Sequence, residues 1–242
     1  MRLHVTGSTG YLGSELVRLR PDASTERVEV RDAEAVRELV ARARPDVVIH
    51  TAYRQAEADV NTIGSENVAL AAAAAGARLV HLSTDVVFDG RKGAPYVEDD
   101  PVSPITDYGR AKAEAEVRVA AAHPAAVVVR TSLLYGGATP SKQELYARDP
   151  AFTFFTNEVR SPMQVTDLAE ALLELAELEV SGPLHVAGAE DVSGAEFAEL
   201  LRGGPVRSAL APATRPLDCS LDSSHAQALL RTRLRGVREV LG

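Results

Sequence analysis

Val5-Thr6-Gly7-Ser8-Thr9-Gly10-Tyr11-Leu12-Gly13 follows a short apolar run and opens a helical pattern. A strand that turns on glycines into a helix reads as the start of a dinucleotide-binding βαβ unit. Gly7 suits the tight turn, Gly10 lets backbone approach a pyrophosphate, and Gly13 permits close packing of helix on strand. The helix N-terminus then offers free N–H groups and the positive end of a dipole to the anion. Three glycines can also do no more than close a strand–helix turn, so the rest of the chain has to decide.

Outward from that loop, short β-branched runs alternate with longer helical patterns. Strands are expected at Leu3–Thr6, Arg27–Val30, Asp46–Thr51, Arg78–Ser83, Ala126–Thr131 and Pro183–Val186. Val47-Val48-Ile49 and Val127-Val128-Val129 are apolar on both faces, as strands covered on either side must be. Helices are expected at Leu12–Leu19, Ala33–Ala43, Glu57–Ala75 and Tyr108–Ala122, with Asp32 as a cap and Gly76 as a stop. This is an α/β pattern, a Rossmann-type doubly wound parallel sheet. From Gly136-Gly137 to Pro162 the chain reads as irregular, followed by helices near Val165–Leu178, Gly194–Arg202 and from Ser223. The expected division is a nucleotide-binding domain over 1–135 and a smaller substrate lobe over 136–242, interwoven with the sheet.

Composition narrows the classes. The 242 residues are 45% hydrophobic and 25% charged, with a net charge of −8. That balance is globular, and it disfavours a sequence-independent grip on nucleic acid or an anionic membrane. Cys219 is the only cysteine, so no intrachain disulfide or thiolate metal cluster forms. No stretch reads as a signal peptide or a membrane span, and a cytoplasmic protein is expected. His50, His81 and His185 read as core or strand-edge residues and not as metal ligands.

Tyr108-Gly109-Arg110-Ala111-Lys112 sets Tyr and Lys one helical turn apart, hence on one face. A neighbouring ammonium would favour the phenolate, and a tyrosine so tuned can give a proton to a carbonyl oxygen as hydride arrives. Alone, the pair is also compatible with a solvated helix face. Ser83-Thr84-Asp85, however, ends an apolar strand, where open α/β sheets present their ligands. Those hydroxyls can equally satisfy their own backbone.

The chain resembles the dTDP-4-dehydrorhamnose reductase branch of the extended short-chain dehydrogenase/reductase family. The likeness lies in the G-x-x-G-x-x-G loop, in Arg44-Pro45-Asp46-Val47-Val48-Ile49-His50-Thr51-Ala52 and in Ala56-Glu57 with Asn61. It is most specific in Leu82-Ser83-Thr84-Asp85-Val86-Val87-Phe88-Asp89-Gly90. It continues through Pro101-Val102-Ser103-Pro104, Arg130-Thr131-Ser132, Ser161-Pro162, Asp167-Leu168-Ala169, Arg215-Pro216 and Leu221-Asp222. The resemblance implies an NAD(P)H-dependent reductase acting on a nucleotide-linked 4-keto-6-deoxysugar. It implies Thr84, Tyr108 and Lys112 as catalytic residues. Gly7, Gly10, Tyr11, Leu12, Gly13, Glu29, Val30, Thr51, Ala52, Tyr53 and Ser83, with Tyr108 and Lys112, would line the NADPH or NADH. Asp85, Val86, Arg160 and Arg215 are the candidates on the substrate side, the arginines because a guanidinium fork suits phosphate oxygens. Dehydration is disfavoured, since Asp85 is followed by Val86 and not by glutamate.

The chain departs from that branch at Val86, where a tyrosine is common, and at Leu133, where a tryptophan is. Only about twenty residues separate Gly13 from Arg31, so the segment that reads the adenosine ribose is shortened. Arg18, Arg20 and Arg31 are placed to meet a 2′-phosphate or to be plain surface charges. Phe152, Phe154 and Phe155 read as lobe packing. A homodimer is expected on base rates. The competing reading is a regulatory subunit like that of methionine adenosyltransferase, binding a dinucleotide without turnover.

Overall fold

The computed structural model describes all residues from Met1 to Gly242. In chain order the strands are β1 (Leu3–Thr6), β2 (Val47–His50), β3 (Arg78–Thr84), β4 (Val127–Thr131), β5 (Leu134–Tyr135), β6 (Phe154–Phe155), β7 (Val159–Arg160), β8 (Met163–Gln164), β9 (Gly182–His185), β10 (Val192–Ser193) and β11 (Ser208–Ala209). The helices that matter below are α1 (Tyr11–Leu19), α2 (Ala33–Ala43), α3 (Ala58–Asn61), α4 (Ile63–Ala74), α5 (Asp107–Ala122), α6 (Lys142–Arg148), α7 (Val165–Leu175) and α8 (Gly194–Arg202). β1, β2, β3, β4 and β9 form one sheet in that order, every pair parallel.

Strand alternation sends side chains to two layers. Leu3, Val5, Val47, Ile49, Val80, Leu82, Val127 and Val129 pack with Leu12 and Leu16 of α1 and with Leu168, Leu172 and Leu175 of α7. Val48, Leu79 and Val128 on the other face meet Val36 and Val40 of α2, Val68 and Ala72 of α4, and Val119 of α5. Both faces are thus covered, which is the doubly wound arrangement. The sheet also draws β9 and α7 from beyond residue 135, so the C-terminal part of the chain completes the core of the N-terminal part. No helix is long and apolar enough to cross a membrane.

Three elements differ from expectation. Arg27–Val30 is not a strand: only Ser24 bridges β1, at His4, which leaves β1 at the sheet edge. Too few residues lie between α1 and α2 to form a further strand and its connection. The helix expected over Glu57–Ala75 breaks at Thr62 into α3 and α4. The Thr62 hydroxyl bonds back to the Ala58 carbonyl (3.0 Å) and the Asn61 side chain holds the Arg54 backbone, contacts that compete with a continuous helix. The stretch after Gly136 contains α6, started by a capping box between Ser141 and Glu144. Asp32 caps α2 through the Ala35 N–H (3.0 Å), and Gly76 takes φ +65° just past α4, as expected.

Candidate active site

A cleft of about 1670 Å³ opens beyond the carboxyl ends of β1, β2 and β3. It is larger than a typical small-molecule pocket and suits two elongated ligands at once. Every site residue expected from the sequence lines it, from the glycine turn through Glu29, Val30, Thr51, Ala52 and Tyr53 to Thr84, Tyr108 and Lys112, with Arg160 and Arg215 opposite.

At one end the turn after β1 forms a cradle. Gly7 has φ +70°, and a Cβ there would lie 2.6 Å from the Ala52 nitrogen, so only glycine fits. α2, α5, α6 and α8 each carry a side-chain cap, but α1 has none, and its first-turn N–H groups face the cleft bare. An uncapped N-terminus of this kind leaves donors for an anion. The residues present therefore fit a dinucleotide pyrophosphate. Tyr11, first in α1, ties the cradle to the lobe by accepting a hydrogen bond at its hydroxyl from the Gly137 N–H (2.8 Å).

The catalytic candidates meet on α5 and the end of β3. Thr106 caps α5 through the Gly109 N–H (3.0 Å), which fixes Tyr108 in the first turn and Lys112 one turn deeper. The Tyr108 ring lies 6.1 Å from that of Tyr53. The Tyr108 hydroxyl is not the lowered acid expected of a Tyr–Lys pair. Burial, and then the neighbouring Tyr53 and Asp85, push its pKa well above the ordinary value. Lys112 does not offset this: its ammonium, buried and lowered to about 8 by desolvation, donates to the Leu82 carbonyl. Behind it, His50 is stacked on His81 (5.4 Å) and hydrogen-bonded to the Thr6 hydroxyl (2.6 Å). Burial and then Lys112 hold His50 down at about 3, so it is a neutral core residue, as its strand position suggests.

Thr84 ends β3 with its hydroxyl donating to Asp85 Oδ1 (3.1 Å). Ser132, just past β4, donates to the other Asp85 oxygen (2.7 Å). Asp85 is buried, and desolvation raises its pKa in spite of these bonds and Arg160. The Ser83 hydroxyl turns behind the sheet to Glu116 and does not enter the cleft as a donor.

The two substrate-side arginines part company. Arg160 is 6% exposed, and its fork is engaged by the carbonyls of Val159 (2.7 Å), Leu217 (3.0 Å) and Pro216 (2.8 Å), with Asp85 3.5 Å from Nε. It clamps the lobe and is not a free phosphate ligand. Arg215 is half-exposed, pairs with Glu158 (2.9 Å) and lies over the Phe155 ring (5.0 Å). Phe152 and Phe154 do pack the lobe, yet they line the cleft as well, with Tyr146 stacked on Phe152 (4.3 Å). The sequence assigns no role to Tyr146 or Thr106, and it gives Ser132 only as part of the Arg130-Thr131-Ser132 stretch. The Ser141–Glu144 spacing is the one signal that would have found the helix carrying Tyr146.

A parallel α/β sheet with a glycine turn, a strand-end hydroxyl and a Tyr–Lys pair on one cleft defines a protein of the short-chain dehydrogenase/reductase class. Comparison with known proteins is narrower still. The chain belongs to the family described as RmlD substrate binding domain, whose model matches residues 1–242. It is 34% identical to the dTDP-4-dehydrorhamnose reductase of Mycolicibacterium smegmatis, across 99% of this chain and 84% of that one. It is 36% identical to the enzyme of the same name from Mycobacterium tuberculosis, across 79% and 71%. Among solved structures, dTDP-4-dehydrorhamnose reductase from Bacillus anthracis in complex with NADP superposes with a TM-score of 0.88 at 26% identity, covering 99% of this chain and 96% of that one.

Proposed function

We propose that this protein is an NAD(P)H-dependent reductase of a nucleotide-linked 4-keto-6-deoxysugar, a reading supported by the dTDP-4-dehydrorhamnose reductase names of its relatives and by the NADP bound in a solved neighbour. The carrying observation is that Thr84, Tyr108 and Lys112 share one cleft with the uncapped glycine turn of α1. When bound, a nicotinamide cofactor would supply the hydride for the keto carbon. The glycine turn would hold its pyrophosphate, and Glu29, Val30, Thr51, Ala52 and Tyr53, which line the same cleft, would flank the rest. Tyr108 is the proton donor to the carbonyl oxygen, and Thr84 bonds the same oxygen. Its hydroxyl must leave Asp85 Oδ1 to do so, which Ser132 and Arg160 on the other carboxylate oxygen make easier. Lys112 would hold the nicotinamide ribose of a bound cofactor, and its ammonium, which now donates to the Leu82 carbonyl, would have to turn toward the ribose before its charge could assist Tyr108.

On the substrate side, Tyr146, Phe152 and Phe155 give flat rings for a base, and Arg215 gives the free edge of a guanidinium for a pyrophosphate. These rings replace the stacking surface that Leu133 does not offer. The regulatory-subunit alternative has no such support in the names of the relatives. We further expect a homodimer acting in the cytoplasm, which light scattering and cell fractionation would test.

Loss of NADPH or NADH absorbance with a panel of nucleotide-linked 4-keto-6-deoxysugars tests the reading. Tyr108→Phe should abolish turnover and leave dinucleotide binding intact. Undiminished turnover in that variant would remove Tyr108 from the chemistry.

A further inference from the structure

We propose that Arg27 reads the 2′-phosphate of the cofactor and makes this protein prefer NADPH, an assignment that rests on the reductase reading above. In a Rossmann unit the residue at the end of the strand beside β1 meets the adenosine ribose: an acid there accepts from the 2′-hydroxyl, an arginine takes the 2′-phosphate. Here that neighbouring strand is reduced to a single bridge. Ser24 donates to the Leu3 carbonyl (2.8 Å) and accepts from the Val5 N–H (2.9 Å), parallel to β1. Three residues beyond His4 is Gly7, and three residues beyond Ser24 is Arg27; both line the cleft. The shortened chain therefore puts an arginine where the missing strand end would be.

Charge pairing separates Arg27 from its neighbours. Arg18 is held by Glu15 (2.7 Å), Arg20 by Asp22 (2.9 Å), and Arg31 by Glu29 (2.8 Å) and Glu57 (3.3 Å). Arg54 is also on Glu57 (2.9 Å), and Glu26 is taken by Arg42. Arg27 is exposed and makes no hydrogen bond or ion pair. The carboxylate that would otherwise select the 2′-hydroxyl, Glu29, is committed to both the backbone N–H and the guanidinium of Arg31. A dianion arriving at this end meets one uncommitted fork and no uncommitted acid, which favours a phosphorylated ribose.

Calorimetric titration with NADP+ and NAD+ separately, on wild type and on Arg27→Ala, tests this without any sugar substrate. NADP+ should bind wild type about tenfold tighter than NAD+, the effect of a charge-assisted bond at a partly exposed site. Arg27→Ala should erase that tenfold advantage, leave NAD+ affinity within about twofold, and remove the salt dependence that distinguishes the two cofactors. Equal binding of both dinucleotides to wild type, or an equal loss of both in Arg27→Ala, would overturn the assignment. Failure of wild type to bind either dinucleotide would overturn the reductase reading, and this assignment with it.

Discussion

Glu116 on α5 accepts a hydrogen bond from the Ser83 hydroxyl on β3, so the helix carrying Tyr108 and Lys112 is fastened to the strand that ends in Thr84. The same carboxylate takes the guanidinium of Arg130 on β4 (2.8 Å from Nη2), and Arg130 reaches on to the Glu98 carbonyl (3.3 Å) and the face of Phe88 (5.2 Å). Both charges are buried, with side chains 10% and 5% exposed. Removing one partner leaves the other uncompensated, and Glu116→Ala should cost about 3–5 kcal/mol in urea unfolding. Glu116→Gln keeps an acceptor for Ser83 and should cost visibly less. Equal stability of Glu116→Ala and wild type would show that water replaces the carboxylate and that the fastening is not structural.

Lys112 yields a prediction of opposite sign. Burial lowers its pKa from 10.5 to about 8, with Glu116 only partly offsetting the loss of solvation. Between those pH values the unfolded chain binds the extra proton, so stability contributed here rises with pH across that window. Below pH 8 the folded protein carries the full penalty, roughly 3 kcal/mol at about 1.4 kcal/mol per pH unit. Lys112→Met should therefore melt higher than wild type at pH 7, by that amount less the lost bond to Leu82, while losing turnover. The advantage should fade by pH 10.5. A variant less stable than wild type at pH 7 would mean that the ammonium is solvated or paired within the cleft.

Much of this site was legible because its signals are local. The glycine turn, the strand-end Ser83-Thr84-Asp85 and the turn spacing of Tyr108 and Lys112 are each set within a few residues, and the sheet brings them together at its carboxyl edge. The illegible parts depend on distant partners. Nothing around Arg160 says that the carbonyls of Pro216 and Leu217 will occupy its fork, and a single arginine reads equally well as a phosphate ligand. Arg27–Val30 has strand composition, but a strand needs a paired neighbour and room for its crossover, which the short run after α1 does not supply. The lowered Tyr108 pKa expected from the Y-x-x-x-K spacing is not found because burial of Tyr108 raises it, and the spacing fixes a shared face, not the direction of the Lys112 head group, which goes to Leu82.

Gly109, between the catalytic candidates, is held closer to the strand-end turn than any side chain allows. A Cβ at this position would lie 2.2 Å from the Val86 carbonyl oxygen and 2.9 Å from the Thr106 hydroxyl oxygen. The nearer atom is backbone, in the 3₁₀ turn Asp85–Val87 that follows Thr84, so it cannot swing away as a side chain would. Gly109→Ala must instead lever the first turn of α5 off the end of β3, moving Tyr108 away from Thr84 and weakening the Thr106 cap. A misplacement of about 1 Å between reacting groups costs on the order of a hundredfold in rate. kcat/KM should fall by about that factor, while dinucleotide binding at the α1 cradle stays near wild type. Arg110→Ala, which removes only an exposed pair with Asp107 on the same helix, is the control and should keep its activity. Were Gly109→Ala to turn over normally, the approach of α5 to Val86 would not set the catalytic geometry, and Tyr108 would be positioned by the deeper Lys112 and Glu116 contacts alone.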